Sequence, residues 1–224
     1  EEKLYVANLA EVNKELQELY DLEGSDKMQI LKLLTRLRQL CLEPRLVYDN
    51  IDQPSSKLKA CMELIKTMQE NKQKVLLFSS FTSVLDLIAE ECQKAGITYY
   101  MLTGSTNKED RRELVSRFQK DDTTVFLISL KAGGTGLNLT SAEAVIHFDP
   151  WWNVSAQNQA TDRAYRIGQK NNVQVFNLVM KDSVEEKIIE LQKRKKELAD
   201  MFVENNSGGL SQMSKEDILS LFTM

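Results

Sequence analysis

Two arginines in the last third of the chain have the type and spacing to handle phosphate groups. Arg163 and Arg166 stand three residues apart, so on a helix both side chains share one face. A guanidinium is planar and permanently charged, which suits bidentate contact with phosphate oxygens. The alternative is that this arginine pair is held in ion pairs inside its own domain, for example by Asp162.

A glycine-rich stretch precedes the arginines. Residues 129–140 read Ser-Leu-Lys-Ala-Gly-Gly-Thr-Gly-Leu-Asn-Leu-Thr and follow a predicted buried strand directly. Glycines permit tight turns and let backbone N–H groups approach an anion, as phosphate-binding loops require. A dinucleotide fingerprint would need a third glycine where Leu139 stands, and a Walker A loop would need Lys-Ser or Lys-Thr after its last glycine. A purely structural turn is the other interpretation.

The remaining reactive side chains favour structural roles. His147, the single histidine, lies on a predicted buried strand with no partner nucleophile or cluster of metal ligands, so we expect a packed imidazole rather than a catalytic base. Cys41, Cys61 and Cys92 form no Cys-x-x-Cys pair, which argues against a zinc site and a disulfide framework. We expect a reducing intracellular compartment and no metal site in this chain.

The elements that position these residues alternate between strand and helix. Amphipathic helical segments separate short apolar runs, a pattern typical of βαβ units and a parallel sheet. Helices are predicted over residues 83–94, closed by Gly96, and from Thr106, which has capping-box spacing to Glu109. The predicted strands are Val75–Phe78, Tyr99–Leu102, Thr124–Ser129, Ala144–Phe148 and Val173–Val179. The predicted fold class is therefore α/β, a parallel sheet flanked by helices.

Helical periodicity continues on both sides of this region. Residues 1–43 place apolar side chains at helical spacing, with a break near Gly24-Ser25 and an end at Pro44. A capping box beginning at Ser183 opens a long carboxyl-terminal helix. Its basic run at residues 193–196 is either a solvated face or a phosphate-contacting patch. We predict four segments: a helical segment over 1–54, the main lobe over 55–182, the long helix over 183–204, and a linker with a short amphipathic tail over 205–224.

Composition narrows the class further. The chain has 224 residues, 42% of them hydrophobic, and a net charge of −4. One main domain with a helical appendage is expected, and no apolar run approaches the length of a membrane span. Because the chain is mildly acidic, any phosphate contact must come from a local face. The chain begins Glu-Glu-Lys without an initiator Met, and we expect it to be a piece of a longer polypeptide.

The motifs together resemble a known family. Residues 129–140, the Phe-Asp-Pro-Trp-Trp-Asn string at 148–153 and the Asp-Arg-x-x-Arg-Ile-Gly-Gln string at 162–169 look like motifs V and VI of the Swi/Snf family of helicase-like ATPases, which belong to helicase superfamily two. Residues 74–81 resemble motif IV. The resemblance covers roughly residues 57–203 and identifies the chain as the carboxyl-terminal RecA-like lobe. The compact region between motifs V and VI is more similar to bacterial members than to many eukaryotic remodellers.

The resemblance implies a nucleotide site shared between two lobes. The first lobe would hold ATP and Mg²⁺, and the second would supply arginine fingers, here Arg163 and Arg166. Such a finger neutralises charge on the transferring phosphoryl group. The resemblance also assigns nucleotide contacts to Gly134, Gly136, Gln159 and Asp162.

The partner that the resemblance implies is double-stranded DNA, gripped through its phosphates because a motor stepping along any sequence cannot depend on base readout. Trp152 stands where the family places an aromatic side chain against the minor groove; simple packing on the lobe is the alternative. The other candidate DNA contacts follow predicted strands at their carboxyl ends, where ligands of parallel sheets gather: Ser79, Ser80, Thr103, Gly104, Ser129 and Lys131.

Further partners follow from the same resemblance. The helix from Ser183 is similar to the brace helix that crosses back onto the first lobe, so exposed apolar residues there and in residues 1–43 would mark a partner surface. A protein partner could also bind residues 1–43 and the carboxyl-terminal tail. The location would be the bacterial cytoplasm, near the nucleoid, or the nucleus of a eukaryote.

No Gly-Lys-Thr/Ser or Asp-Glu-x-His string occurs in the 224 residues, so we expect the chain alone not to hydrolyse ATP at a useful rate. A non-catalytic docking or autoregulatory module on the same fold is the alternative function. An RNA helicase is disfavoured because DEAD-box proteins show His-Arg-x-Gly-Arg at this point. An oxidoreductase is excluded by the missing third glycine.

Overall fold

The computed structural model describes residues 1–21, 27–133, 137–164 and 172–201. These fall into two compact units, one made of Glu1–Lys57 with the chain from Met180 onward, the other of Leu58–Val179. None of the described helices is long and apolar enough to cross a membrane. Candidate site residues Gly134, Gly136 and Arg166 lie outside the described residues, as does the carboxyl-terminal tail.

The Leu58–Val179 unit is built on a parallel sheet of five strands in the order β2-β3-β1-β4-β5. The three central strands are fully buried because their apolar residues are covered on both faces. All four neighbouring pairs are parallel, with Val75 beside Val125 and Ala144 in the centre of the sheet. The strands are β1 (Val75–Ser79), β2 (Tyr99–Leu102), β3 (Val125–Ser129), β4 (Ala144–His147) and β5 (Gln174–Asn177). The predicted parallel α/β fold is confirmed.

Helices connect the strands. Asn107, not Thr106, caps the helix after β2: its side chain accepts the N–H groups of Glu109 and Asp110 at 3.0 and 2.9 Å, which an asparagine amide does well at this position. Thr106 instead accepts the N–H of Thr103, so the predicted capping box is wrong by one residue. The helices are α3 (Ser56–Glu70), α4 (Thr82–Lys94), α5 (Lys108–Lys120), α6 (Leu130–Gly133) and α7 (Val154–Thr161).

A single aromatic cluster fixes α5 on the sheet. Phe118 is fully buried and its ring centroid lies 5.2 Å from that of Phe126 on β3. Burying one such side chain contributes roughly 1.5–3 kcal/mol. Lys74 also holds the carboxyl end of α5, since its ammonium donates to the carbonyls of Phe118 and Asp121. The carboxyl end of α5 is therefore fixed near the start of β3.

The second unit is helical. It contains α1 (Glu2–Asp21), α2 (Lys27–Leu42), a 3-10 turn at Pro44–Leu46 and α8 (Val184–Met201). Leu34 and Leu37 are buried, as the periodicity predicts, whereas Met28 is 59% exposed. The predicted break near Gly24-Ser25 lies outside the described residues.

Three distant parts of the chain meet at the start of α8. Ser183 Oγ accepts the N–H of Glu185 at 3.2 Å, so the predicted cap is present. The Tyr5 hydroxyl accepts the N–H of Val184 at 2.7 Å, and Lys57 Nζ lies 2.6 Å from both carboxylate oxygens of Glu185. Both members of this ion pair are buried.

Candidate nucleotide and nucleic-acid interface

The predicted phosphate contacts converge at the carboxyl edge of the sheet. Ser79 and Ser129 end neighbouring strands and face each other in register. Thr103 and Gly104 follow β2, which pairs with β3 on the other side. Because all strands are parallel, these residues lie at one edge, where ligands of open α/β sheets bind.

The serines after β1 point to a carboxylate of the chain itself. Ser79 Oγ donates to Asp149 Oδ1 at 2.7 Å, and the N–H of Ser80 donates to the same oxygen at 3.0 Å. Ser80 Oγ donates to the other oxygen, Oδ2. Ser79 is fully buried, so its hydroxyl is not accessible to DNA in this conformation. The assignment of both serines to DNA stays a prediction.

The residues after β3 divide in the same way. Ser129 is buried, and its hydroxyl accepts the N–H of Ala132 at 3.3 Å, closing the turn into α6. Lys131 is exposed on α6 and can reach an anion at this edge. Of the two predicted contacts after β3, only the lysine presents its side chain to solvent.

The turn after β2 is open and rich in hydroxyl groups. The Thr103 and Ser105 hydroxyls lie 2.8 Å apart, and Gly104 between them is exposed. A Cβ added to Gly104 would meet no heavy atom within 4 Å. A ligand can therefore approach the backbone of this turn.

A basic cleft of about 650 Å³ lies between α5 and the residues that follow the glycine-rich loop. Three cationic side chains of α5 line it, together with apolar side chains. The lining residues are Thr106, Lys108, Arg111, Arg112, Val115, Leu137 and Asn138. Lys108, Arg111 and Arg112 were not predicted as site residues from sequence, although basic residues at positions i, i+3 and i+4 of a helix share one face.

Helix α5 also holds the glycine-rich loop at both ends. Arg111 Nη1 donates to the carbonyl of Ala132 before the loop at 3.0 Å. Gln119 Nε2 donates to the carbonyl of Asn138 after it at 2.7 Å, and Gln119 Oε1 accepts the N–H of Ser141 at 2.9 Å. The two ends of the loop are thus fixed by one helix.

The arginine segment lies against the far end of the same loop. The carbonyl of Arg163 accepts the N–H of Leu139 at 3.0 Å. Its side chain is only 5% exposed, whereas Gln159 and Asp162 nearby are exposed. Burial of Arg163 differs from the open presentation expected of an arginine finger; the reason is that α7 ends at Thr161 and the following turn packs Ala164 into the core cluster that also contains Leu139.

His147 supports α7 from below. Its ring stacks on Phe78 with centroids 5.7 Å apart, and Nε2 lies 2.9 Å from Thr161 Oγ1. Because Thr161 donates its own hydrogen to the carbonyl of Gln157, His147 Nε2 is the donor of the pair. Burial lowers the pKa of His147 to about 4. The packed imidazole predicted from sequence is confirmed.

The two tryptophans differ in environment. The side chain of Trp151 packs against the core cluster, and its backbone N–H donates to Gln157 Oε1 at 3.2 Å. Trp152 is half-buried. The packing alternative therefore holds for Trp151, while the minor-groove contact of Trp152 stays a prediction.

Comparison with known proteins gives a consistent family. The helicase conserved C-terminal domain family matches residues 56–168. A protein described as an uncharacterized ATP-dependent helicase, from Mycoplasma pneumoniae, is 37% identical over 95% of this chain and 21% of its own length. The ISWI chromatin-remodeling complex ATPase ISW1 of Saccharomyces cerevisiae is 34% identical over 94% of this chain and 20% of its own length. The chain spans about a fifth of these relatives.

Two solved structures share the fold. The SWI2/SNF2 ATPase core of Sulfolobus solfataricus in complex with double-stranded DNA superposes with a TM-score of 0.77 at 30% identity, covering 98% of this chain and 47% of that one. The C-terminal domain of a SWI2/SNF2 ATPase from the same organism superposes with a TM-score of 0.71 at 26% identity, covering 96% and 92%. The predicted RecA-like lobe is confirmed, and the chain belongs to the helicase conserved C-terminal domain family, within which it is a C-terminal lobe of the SWI2/SNF2 type.

Proposed function

We propose that this chain is the second lobe of an ATP-dependent double-stranded DNA translocase that remodels protein–DNA complexes. In this proposal the sheet edge and the cleft beside α5 hold the DNA backbone, and the arginine segment completes a nucleotide site formed with another lobe. The chain alone lacks that other half of the site and does not turn over ATP.

The observation that carries the DNA role is the basic cleft. The chain has a net charge of −4, yet Lys108, Arg111 and Arg112 line one opening together with Leu137 and Asn138 from the glycine-rich stretch. Lys108 and Arg112 are exposed there. Phosphates attract such a group through charge alone, without reading the bases.

The nucleotide role rests on the arginine segment. Gln159 and Asp162 are exposed at the end of α7 and could meet a nucleotide, and a bound triphosphate would place negative charge beside Arg163. Because the guanidinium of Arg163 is buried here, the proposal requires it to leave this position when the lobes close. Among the described residues no group of three His, Cys, Asp or Glu could hold a metal ion, and we assign Mg²⁺ to the other lobe.

A matched pair of arginines on α5 tests the DNA role. Arg112→Gln removes a cation from the cleft, while Arg117→Gln removes one from the same helix outside it. Duplex affinity measured by fluorescence anisotropy between 20 and 200 mM salt, concentrations chosen to span roughly a decade, should fall for Arg112→Gln. The slope of log Kd against log salt should become shallower by about one. Equal effects of the two variants would contradict the cleft.

The motor role is tested in the full-length ATPase. Its ATP hydrolysis should be stimulated by duplex DNA far more than by single-stranded RNA, and Arg163→Lys should abolish most of it, by roughly 10³-fold for a finger residue. Lysine keeps the charge but loses the planar fork. Retained hydrolysis in Arg163→Lys and Arg166→Lys would favour a docking module instead.

A further inference from the structure

Three hydrogen-bond donors at the end of β1 converge on one buried carboxylate. Asp149 is 1% exposed, and its Oδ1 accepts from Ser79 Oγ at 2.7 Å and from the Ser80 N–H at 3.0 Å. Oδ2 accepts from Ser80 Oγ. Hydrogen bonds to a carboxylate are stronger than neutral ones, so this contact joins the two segments firmly.

The carboxylate extends the pairing of β1 and β4 beyond the end of β4. Just beyond β4 a main-chain bond joins these segments, from the N–H of Phe148 to the carbonyl of Phe78 at 2.9 Å. Pro150 follows two residues later and has no N–H to continue the ladder. The side chain of Asp149 takes over at that point and ties the departing chain to Ser79 and Ser80.

The chain that departs carries the tryptophans. Asp149 holds it through its side chain, and two residues later the backbone N–H of Trp151 donates to Gln157 Oε1 at 3.2 Å. Gln157 is itself fixed by a 2.9 Å bond from its Nε2 to Asn177 Oδ1 on β5. These two anchored residues come directly before Trp152 in the chain, with only Pro150 between them, and so they set where Trp152 begins.

We propose that Asp149 is a positioning residue that holds Trp152 in place for DNA, a role that rests on the proposed function. In this proposal Ser79 and Ser80 bind Asp149 rather than DNA. Each hydroxyl has one hydrogen, which here is given to Asp149, so neither can donate to a phosphate while the contact persists. The carboxylate also places negative charge where those serines would otherwise attract a phosphate.

The test uses the full-length ATPase and its dependence on duplex DNA concentration. Asp149→Ala should raise the DNA concentration that gives half-maximal stimulation by about tenfold, because a contact misplaced by about an ångström loses this much or more. Asp149→Asn should restore a value near wild type, since an amide oxygen accepts from Ser79 and the Ser80 N–H and the Ser80 hydroxyl can turn to accept from the amide. Asp86→Ala, at an exposed position on α4, is the control.

A double-mutant cycle with Trp152→Ala separates positioning from general damage. If Asp149 acts through Trp152, the double variant is no worse than Trp152→Ala alone. Multiplicative effects would overturn the proposal, and so would an Asp149→Asn variant that is folded but as weak as Asp149→Ala. If Asp149→Ala does not fold, the same double-mutant cycle with Ser80→Ala in place of Asp149→Ala tests the proposal.

The cycle also distinguishes a failure of the positioning role of Asp149 from a failure of the DNA contact of Trp152. If Trp152→Ala leaves the DNA dependence intact, the DNA contact of Trp152 is wrong and the positioning role of Asp149 is overturned with it. If Trp152→Ala weakens the DNA dependence but Asp149→Ala does not, only the positioning role is wrong, and the proposed function stands.

Discussion

At the scale of single residues, two glycines with different backbone conformations distinguish a role in folding from a role in binding. Gly96 has a φ of +68° at the end of α4, whereas Gly104 has no positive φ; at both positions a Cβ would meet no heavy atom within 4 Å. Left-handed backbone disfavours any side chain. Gly96 therefore serves the fold, and Gly104 is free to serve a ligand.

Gly104→Ala should leave the free energy of unfolding within about 0.5 kcal/mol of wild type, while duplex affinity falls by roughly fivefold if a phosphate contacts this backbone, the equivalent of about one hydrogen bond. Gly96→Ala should do the reverse, lowering stability by about 1–2 kcal/mol with unchanged affinity. Urea unfolding and low-salt anisotropy measure the two effects. An unaltered affinity in Gly104→Ala would remove this turn from the interface.

His147 gives a second residue-scale prediction, on pH. Burial lowers its pKa from 6.5 to about 4, so between these values the unfolded chain binds more protons than the folded chain. The stability contributed by the neutral imidazole is fully present above about pH 6.5 and is lost as the pH falls towards 4. The loss amounts to about 3 kcal/mol across that range.

The measurement is urea unfolding of wild type and His147→Leu at several pH values in that window. Because His147 is the single histidine, the difference between the two pH profiles isolates its contribution from that of the carboxylates. Stability of His147→Leu should fall less steeply below pH 6.5. Parallel profiles would show that the imidazole has the same pKa in the folded and unfolded chain, contrary to the effect of burial.

At the scale of elements, the start of α8 depends on a buried ion pair. Lys57 and Glu185 are 4% and 1% exposed at their side chains, and Glu185 also accepts the N–H of Met180 at 2.7 Å. Removing one partner of such a pair leaves an uncompensated charge, which costs more than the pair itself contributes. The helix is therefore anchored by a contact between residues distant in sequence.

Lys57→Met should lower the free energy of unfolding by about 3–5 kcal/mol. The double variant Lys57→Met with Glu185→Gln should recover part of this loss, because glutamine keeps an acceptor for Met180 without the charge. Lys94→Met, in an exposed pair with Glu91, should change stability by less than about 1 kcal/mol. A double variant less stable than Lys57→Met would contradict the argument.

At the scale of the whole molecule, charge and thiols are distributed unevenly. The chain is acidic overall, while three basic side chains, those of Lys108, Arg111 and Arg112, line one cleft of the Leu58–Val179 unit. The thiols of Cys41, Cys61 and Cys92 are buried, one in the helical unit and two in the other. Burial raises the pKa of the Cys41 and Cys92 thiols to about 12.

Thiol labelling should therefore report opening of the units. At pH 8 the folded chain should react with a maleimide at least 100-fold more slowly than the urea-unfolded chain, a factor set roughly by the open fraction. Variants that keep only Cys41 or only Cys92 would measure each unit separately. Fast labelling of either thiol with unchanged circular dichroism would show that its unit opens without global unfolding.

The sequence by itself determined the elements and the family. Runs such as Tyr99–Leu102 predicted strands at their observed positions, because a short aromatic and apolar run between helical segments is a local signature of a strand. The glycine-rich and arginine strings carried the resemblance that the comparisons confirmed. Short-range patterns suffice for these features, since capping, periodicity and motif spacing involve residues close in sequence.

Only the tertiary structure decided which way the site residues face. Ser79 and Asp149 are 70 residues apart, and nothing in either neighbourhood predicts that the serine donates to the carboxylate. Arg163 was expected on an open face but is buried, and its carbonyl accepts the N–H of Leu139. Side-chain direction is set by packing between distant segments, so the residues could be named from sequence while their partners could not.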